Sequence, residues 1–183
     1  MTAQVQARPI ERRLSPLDAV TARSLVGLPE LPTVVAIGPF DDPAHTDRLA
    51  AAFAAVQLRC KAQLVFLGAD VQAVADHRWQ DLIAAADVVA PSTTTGSMTV
   101  LDVMAFGRPL IAPANPATVQ LVVSASAGLV YRQEDVSGMA AAFLRLLTAP
   151  ALRYGMGCRA REVAQRQQSQ HLAMHRDEWN EYV

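Results

Sequence analysis

The chain is short of three things that would narrow its biology at once: cysteine, net charge and long apolar runs. It has two cysteines in 183 residues. Cys60 and Cys158 lie far apart in helical patterns, without the close spacing of a metal knuckle or a redox pair. A disulfide scaffold is excluded, and a reducing, cytoplasmic setting is expected. A formal net charge of −1 and a pI near 6.4 give no electrostatic reason for nucleic acid or an anionic membrane as partner. No stretch approaches about 18 uninterrupted apolar residues, and the polar opening that carries Arg8, Arg12 and Arg13 leads into no signal-peptide core, so no transmembrane segment is expected. Internal repeats and low-complexity linkers are also absent.

What remains is a chain that is 51% hydrophobic and of a length suited to one packed core. Residues 1–14 read as a tail or linker and 15–183 as a single domain. Ser15-Pro16, with Asp18 behind them, mark a helix start, and Gly27 and Pro29 stop that helix. Thr33-Val34-Val35-Ala36-Ile37 is a β-branched run ending at Gly38, which predicts a buried strand. Asp42-Pro43 repeats the cap-then-proline signal, and Leu49, Phe53, Val56 and Cys60 share one helical face. Gln63 to Gly68 predicts a second buried strand, and further strands are predicted at 88–90, 110–112 and 128–131. Amphipathic helices are predicted around Trp79 to Ala86, through Leu101 and Met104 to a stop at Gly107, briefly at Val119 to Val123, and from Met139 to Leu147.

Short apolar strands alternating with amphipathic helices imply βαβ crossovers. The fold class is therefore α/β, a Rossmann-like parallel sheet with helices on both faces. In such sheets ligands bind beyond the carboxyl ends of the strands, which directs attention to the loops after Ile37, Leu67, Ala90 and Ala112.

The stretch from Ala84 to Pro113, AAADVVAPSTTTGSMTVLDVMAFGRPLIAP, combines an Ala-Asp-strand-Pro-Ser opening with a Met-Ala-x-Gly-Arg-Pro ending. It resembles the donor-site segment of the large retaining glycosyltransferase family called group 1 or family 4. The resemblance extends back through VVAIGPF and LVFLGAD and forward through AGLVY, AAFLRLLTAP and ALRYGMGCRAREVAQ, covering roughly residues 15 to 180. It implies the C-terminal, donor-binding half of a GT-B fold, whose partner would be an acceptor-side domain. Such a half binds a UDP-, GDP- or ADP-linked nucleotide sugar for hexosyl transfer in glycan or polysaccharide biosynthesis, without a cofactor or metal. The donor-binding positions it implies are Gly38, Thr94, Thr95, Gly96, Ser97, Met98 and Asp102.

Several of these positions depart from the family pattern. A glutamate expected after the Pro-Ser strand end falls on Thr94 or Thr95, and a second, on the following helix, becomes Asp102. Threonine hydrogen-bonds but supplies no negative charge to orient a sugar or stabilise an oxocarbenium-like transition state. Asp102 keeps a carboxylate suited to a ribose diol. The arginine and lysine expected after the first strand are missing from Gly38-Pro39-Phe40-Asp41-Asp42-Pro43-Ala44-His45, where two aspartates repel phosphate instead. A glycine-rich segment ahead of the fifth strand has become Asn115 to Gln120, and the interval from Gly68 to Trp79 is short, as though one helix-strand unit were absent. Thr95-Gly96-Ser97 retains free amides at a helix start, which serve an anion or a plain N-cap equally well.

No catalytic residue is assigned. His171 and His175, four apart, lack a third metal ligand. His45 is either a stand-in cation near phosphate or, more simply, an exposed helix-start histidine. Arg108 reads as a surface residue or helix C-cap partner, and Trp79 and Trp179 as packing anchors. Two functions follow: a donor domain, inactive in isolation and completed by an acceptor domain, or a non-catalytic scaffold or regulatory subunit that has lost its donor chemistry.

Overall fold

A computed structural model of the chain describes residues 18–68, 78–92 and 100–180, with side chains except those of Arg78, Ala117 and residues 171–180. Five strands form one parallel sheet: β1 (Thr33–Ile37), β2 (Gln63–Leu67), β3 (Val88–Pro91), β4 (Leu110–Pro113) and β5 (Gly128–Tyr131), in the spatial order β2-β1-β3-β4-β5.

Pleating divides each strand between two cores. Val34 and Ala36 of β1 join Val88, Ala90 and Ile111 beneath α2 (Pro43–Gln57) and α6 (Val136–Leu147), where Leu49, Phe53 and Phe143 are buried. Val35 and Ile37 face the other way, with Val89 and Leu110, toward α3 (Arg78–Ala85), α4 (Val100–Ala105) and α7 (Pro150–Asn180). Each large side chain buried in these layers contributes about 1.5–3 kcal/mol. The interior strand β1 is buried at every position, whereas β2, expected to be buried, has no fully buried residue because it lies at the sheet edge with a neighbour on one side only.

Local chemistry sets the element ends. Asp18 caps α1 (Ala19–Val26) by accepting from the amides of Val20 and Thr21 at 3.1 and 3.0 Å, and Gly27 ends it in the left-handed region at φ 68°. Ser15 and Pro16, the expected start, lie outside the described residues. α1 rests on α3 through Ala22 against Ala84 and Ala85. After β4, Asn115 and Thr118 form a reciprocal capping box around α5 (Pro116–Thr118), which runs on as a π-helical turn over Val119–Val123. Two glycines are fixed by close approach: a Cβ at Gly128 would meet the Leu110 carbonyl oxygen at 2.1 Å, and one at Gly157 of α7 would meet that of Gly107 at 2.2 Å. Among the described residues no helix is long and apolar enough to cross a membrane.

Candidate functional site

From β1 the chain moves outward to β2 and then returns to the opposite side of β1 as β3, so the strand order reverses between β1 and β3. At such a reversal the connections leave on opposite faces of the sheet and open a crevice at the carboxyl ends. The Ser92 amide donates to the Ile37 carbonyl at 2.8 Å, which fixes the exits of β3 and β1 side by side. Above this point stand the loop 38–42 and the start of α2.

Gly38 lies at the floor of the crevice, buried, its amide donating to Leu67 O at 2.8 Å. Its missing side chain has a local use: a Cβ would come within 2.7 Å of the Phe40 ring, which packs edge-on against Phe66 with centroids 5.1 Å apart. Asp102 occupies the first turn of α4, half-buried and already engaged. Thr94, Thr95, Gly96, Ser97 and Met98 lie outside the described residues, as do the side chains of His171, His175 and Trp179.

α2 supplies the groups that sequence reading undervalued. Asp42 caps it by accepting from the Ala44 amide at 3.0 Å. His45 does not stand exposed at the helix start: it is 4% exposed, on the same inward stripe as Leu49, Ala52, Phe53 and Val56, and its Nδ1 is buried with no hydrogen-bond partner among the described residues. The stripe explains the burial, because one step of four residues back from Leu49 lands on His45. Burial lowers the imidazole pKa below its usual value, the Arg48 charge lowers it further and Asp42 opposes both, so the ring is held neutral. Arg48 approaches Asp42 at 3.6 Å, and its Nε too is buried without a partner among the described residues. A buried donor or acceptor left unpaired costs about 1–3 kcal/mol. The Tyr131 phenol, at the end of β5, is pushed up to about 12 by burial, with the Arg48 charge pulling the other way.

The opposite, amino edge of the sheet holds a second charged cluster. Asp87 accepts from Arg23 and from the Thr33 amide at 2.8 Å, and forms an ion pair with Arg153 at 3.2 Å. Arg23 also donates to Leu31 O at 2.8 Å, and Arg153 to the last carbonyls of α6, Leu146 O and Leu147 O, at 2.8 and 2.7 Å. Arg108 donates to Ala84 O near the end of α3: it is a C-terminal cap partner and half-buried rather than a surface residue. A cavity of about 360 Å³ opens here beside Arg23, Glu30 and Asp87. Arg23 and Asp87 are already paired with one another, so the switch-point crevice is the better candidate for a ligand. Trp79 packs edge-on against Phe106, a packing anchor as expected. Among the described residues no three His, Cys, Asp or Glu side chains gather to hold a metal.

The parallel sheet and the helices on its two faces define a Rossmann-like α/β domain. The sequence profile described as "Glycosyl transferases group 1" matches residues 31–149, and the chain belongs to that family. Sucrose-phosphate synthase from Thermosynechococcus elongatus is similar in structure, with a TM-score of 0.71 at 22% identity over 90% of this chain and 49% of that one. WaaG, a glycosyltransferase involved in lipopolysaccharide biosynthesis, is also similar, with a TM-score of 0.64 at 20% identity over 82% of this chain and 47% of that one. At these identities the likeness is one of fold, and the chain spans about half the length of the solved proteins it matches. No curated protein matches the sequence.

Proposed function

We propose that the chain is a donor-side glycosyltransferase domain, binding the nucleotide part of a UDP-, GDP- or ADP-linked sugar in the crevice between β1 and β3. The observation that carries this reading is the strand-order reversal, because Gly38, the segment with Thr94 to Met98, and Asp102 all belong to the connections that leave it. Asp102 would accept hydrogen bonds from the ribose diol, and the amides around Thr95-Gly96-Ser97 would face the diphosphate. With threonine where the family has a carboxylate, sugar transfer needs groups from an acceptor-side domain, and the isolated chain binds without turnover. Calorimetric titration with UDP-, GDP- and ADP-glucose is the test: saturable heat with one of them supports the reading, and no heat at millimolar concentration with any of them removes it.

A second reading, a scaffold or regulatory subunit that no longer handles a donor, is favoured by one observation. Asp41 and Asp42 are exposed at the lip of the crevice, and Asp42 stands beside Arg48. This reading requires a stable protein partner, recoverable by affinity capture from the native host, together with silence in the titration above.

A further inference from the structure

We infer that the crevice holds a phosphate-type dianion through Arg48 and His45 of α2, with Asp42 as the carboxylate that competes for Arg48. The inference rests on the donor reading of the same crevice, and it moves the cationic anchor away from the loop where the family resemblance expects it. Positions 38–44, from the end of β1 to the first residues of α2, carry no cation at all.

Three observations converge. Helical side chains lean toward the N-terminus of their helix, so Arg48, from the second turn of α2, reaches back to the N-cap residue Asp42, which stands at the crevice. Its contact there is 3.6 Å long, beyond the range of a good charge-assisted hydrogen bond, and its Nε has no partner among the described residues. His45, one turn nearer the crevice, is 96% buried by its 4% exposure, with Nδ1 also unpartnered. Buried polar groups are nearly always paired, so two such nitrogens one turn apart on a single helix, neither met by any described residue, mark a place where an outside acceptor fits.

The chemistry selects the ligand. Arg48 offers a permanent positive charge with a forked set of donors, suited to the oxygens of a phosphate. A neutral His45 carries one N–H, which donates to an anion without adding charge. Both sit at the N-terminal end of the 15-residue helix α2, whose dipole favours negative charge. A nucleoside without phosphate would engage none of these groups. Asp42, holding its N-cap amide and facing Arg48, opposes the anion, so loaded and empty crevices differ in which carboxylate or phosphate oxygen Arg48 meets.

The test is calorimetry on the full chain with UDP, GDP, ADP, the matching nucleosides and inorganic pyrophosphate. Arg48→Gln should weaken the preferred nucleoside diphosphate and pyrophosphate about tenfold or more while leaving nucleoside binding unchanged. Asp42→Asn, which keeps a capping oxygen, should tighten both about threefold, the opposite sign. His45→Leu should weaken binding and His45→Asn restore it, since the asparagine amide can occupy the Nδ1 position. Unfolding curves for each variant separate lost binding from lost fold. If the wild type binds a nucleoside diphosphate and Arg48→Gln binds it equally well, this assignment is wrong and the donor reading stands. If nucleotides do not bind but pyrophosphate does, in an Arg48-dependent way, the donor reading falls and the anion site stands. Silence toward all probes removes both.

Discussion

At the amino edge of the sheet, Arg23 and Arg153 converge on Asp87 and direct further N–H groups to Leu31, Leu146 and Leu147 carbonyls. At the carboxyl edge, Arg48 meets Asp42 only at 3.6 Å and His45 Nδ1 meets nothing among the described residues. Both edges bury basic side chains in the same parallel sheet. The difference lies in the helix ends. Helices that follow strands bring their C-termini, rich in free carbonyls, to the amino edge, where arginine is satisfied by backbone. Their N-termini lie at the carboxyl edge, where a basic group finds donors and positive potential instead of carbonyls. One edge is framework, and the other is where we place the proposed ligand. Among the described residues Arg108 Nε, also unpartnered, is a departure at the amino edge, although its guanidinium still caps α3.

The largest expected effect tests the framework side. Asp87→Ala leaves two arginines without their carboxylate and the Thr33 amide without its acceptor, so stability to urea should fall by about 3 kcal/mol; a fall below about 1 kcal/mol would break the contrast. Gly157→Ala, on the same side, drives a methyl into the Gly107 carbonyl and should cost about 2 kcal/mol in thermal denaturation. The carboxyl edge should respond in the opposite direction. His45→Leu replaces an unpaired buried nitrogen with apolar surface and should stabilise the free protein by about 1 kcal/mol at pH 7.5.

The same variant sharpens the contrast through pH. The folded-state pKa of His45 lies below its usual 6.5, so as pH falls the unfolded chain takes up the proton first. Stability is complete above about pH 6.5 and is lost as pH drops through the depressed folded value; in His45→Leu this part of the slope should vanish when denaturation midpoints at pH 7.5 and 5 are compared. The smallest effect is optical. Tyr131, raised to about 12, should leave one phenol silent in an ultraviolet titration up to pH 11, while its Phe variant loses only that late step.

Much of this fold is legible in the chain because its signals are local. Thr33 to Ile37 announces a buried strand by β-branching, Asp42-Pro43 announces α2, and Gly107 ends α4 with a φ of 67° that its lack of a side chain allows. The site was legible only in outline. Gly38 reads as a ligand glycine from its motif, yet the space it leaves is filled by Phe40, a contact no pattern announces. His45 was within reach, since the stripe of Leu49 and Phe53 points to it; it reads as exposed only while its polarity outweighs its phase. Arg48, felt by Tyr131, and Asp87, held by Arg23 and Arg153, owe part of their roles to partners distant in sequence, and no local period encodes those.

The Asp87 cluster also bears on time. Its pairing with Arg23 spans 64 positions of sequence, and Arg153 reaches it from a helix still further along. Arg23 and Arg153 reach Asp87 from α1 and α7, outside the pairing of β1 with β3, so we expect these contacts to be absent from the folding transition state. An interaction formed that late sets the lifetime of the native protein rather than the speed of its formation. Asp87→Ala should accordingly leave the refolding rate nearly unchanged and place its whole effect on unfolding, freeing first α1 and α7, the helices nearest the two ends of the described chain.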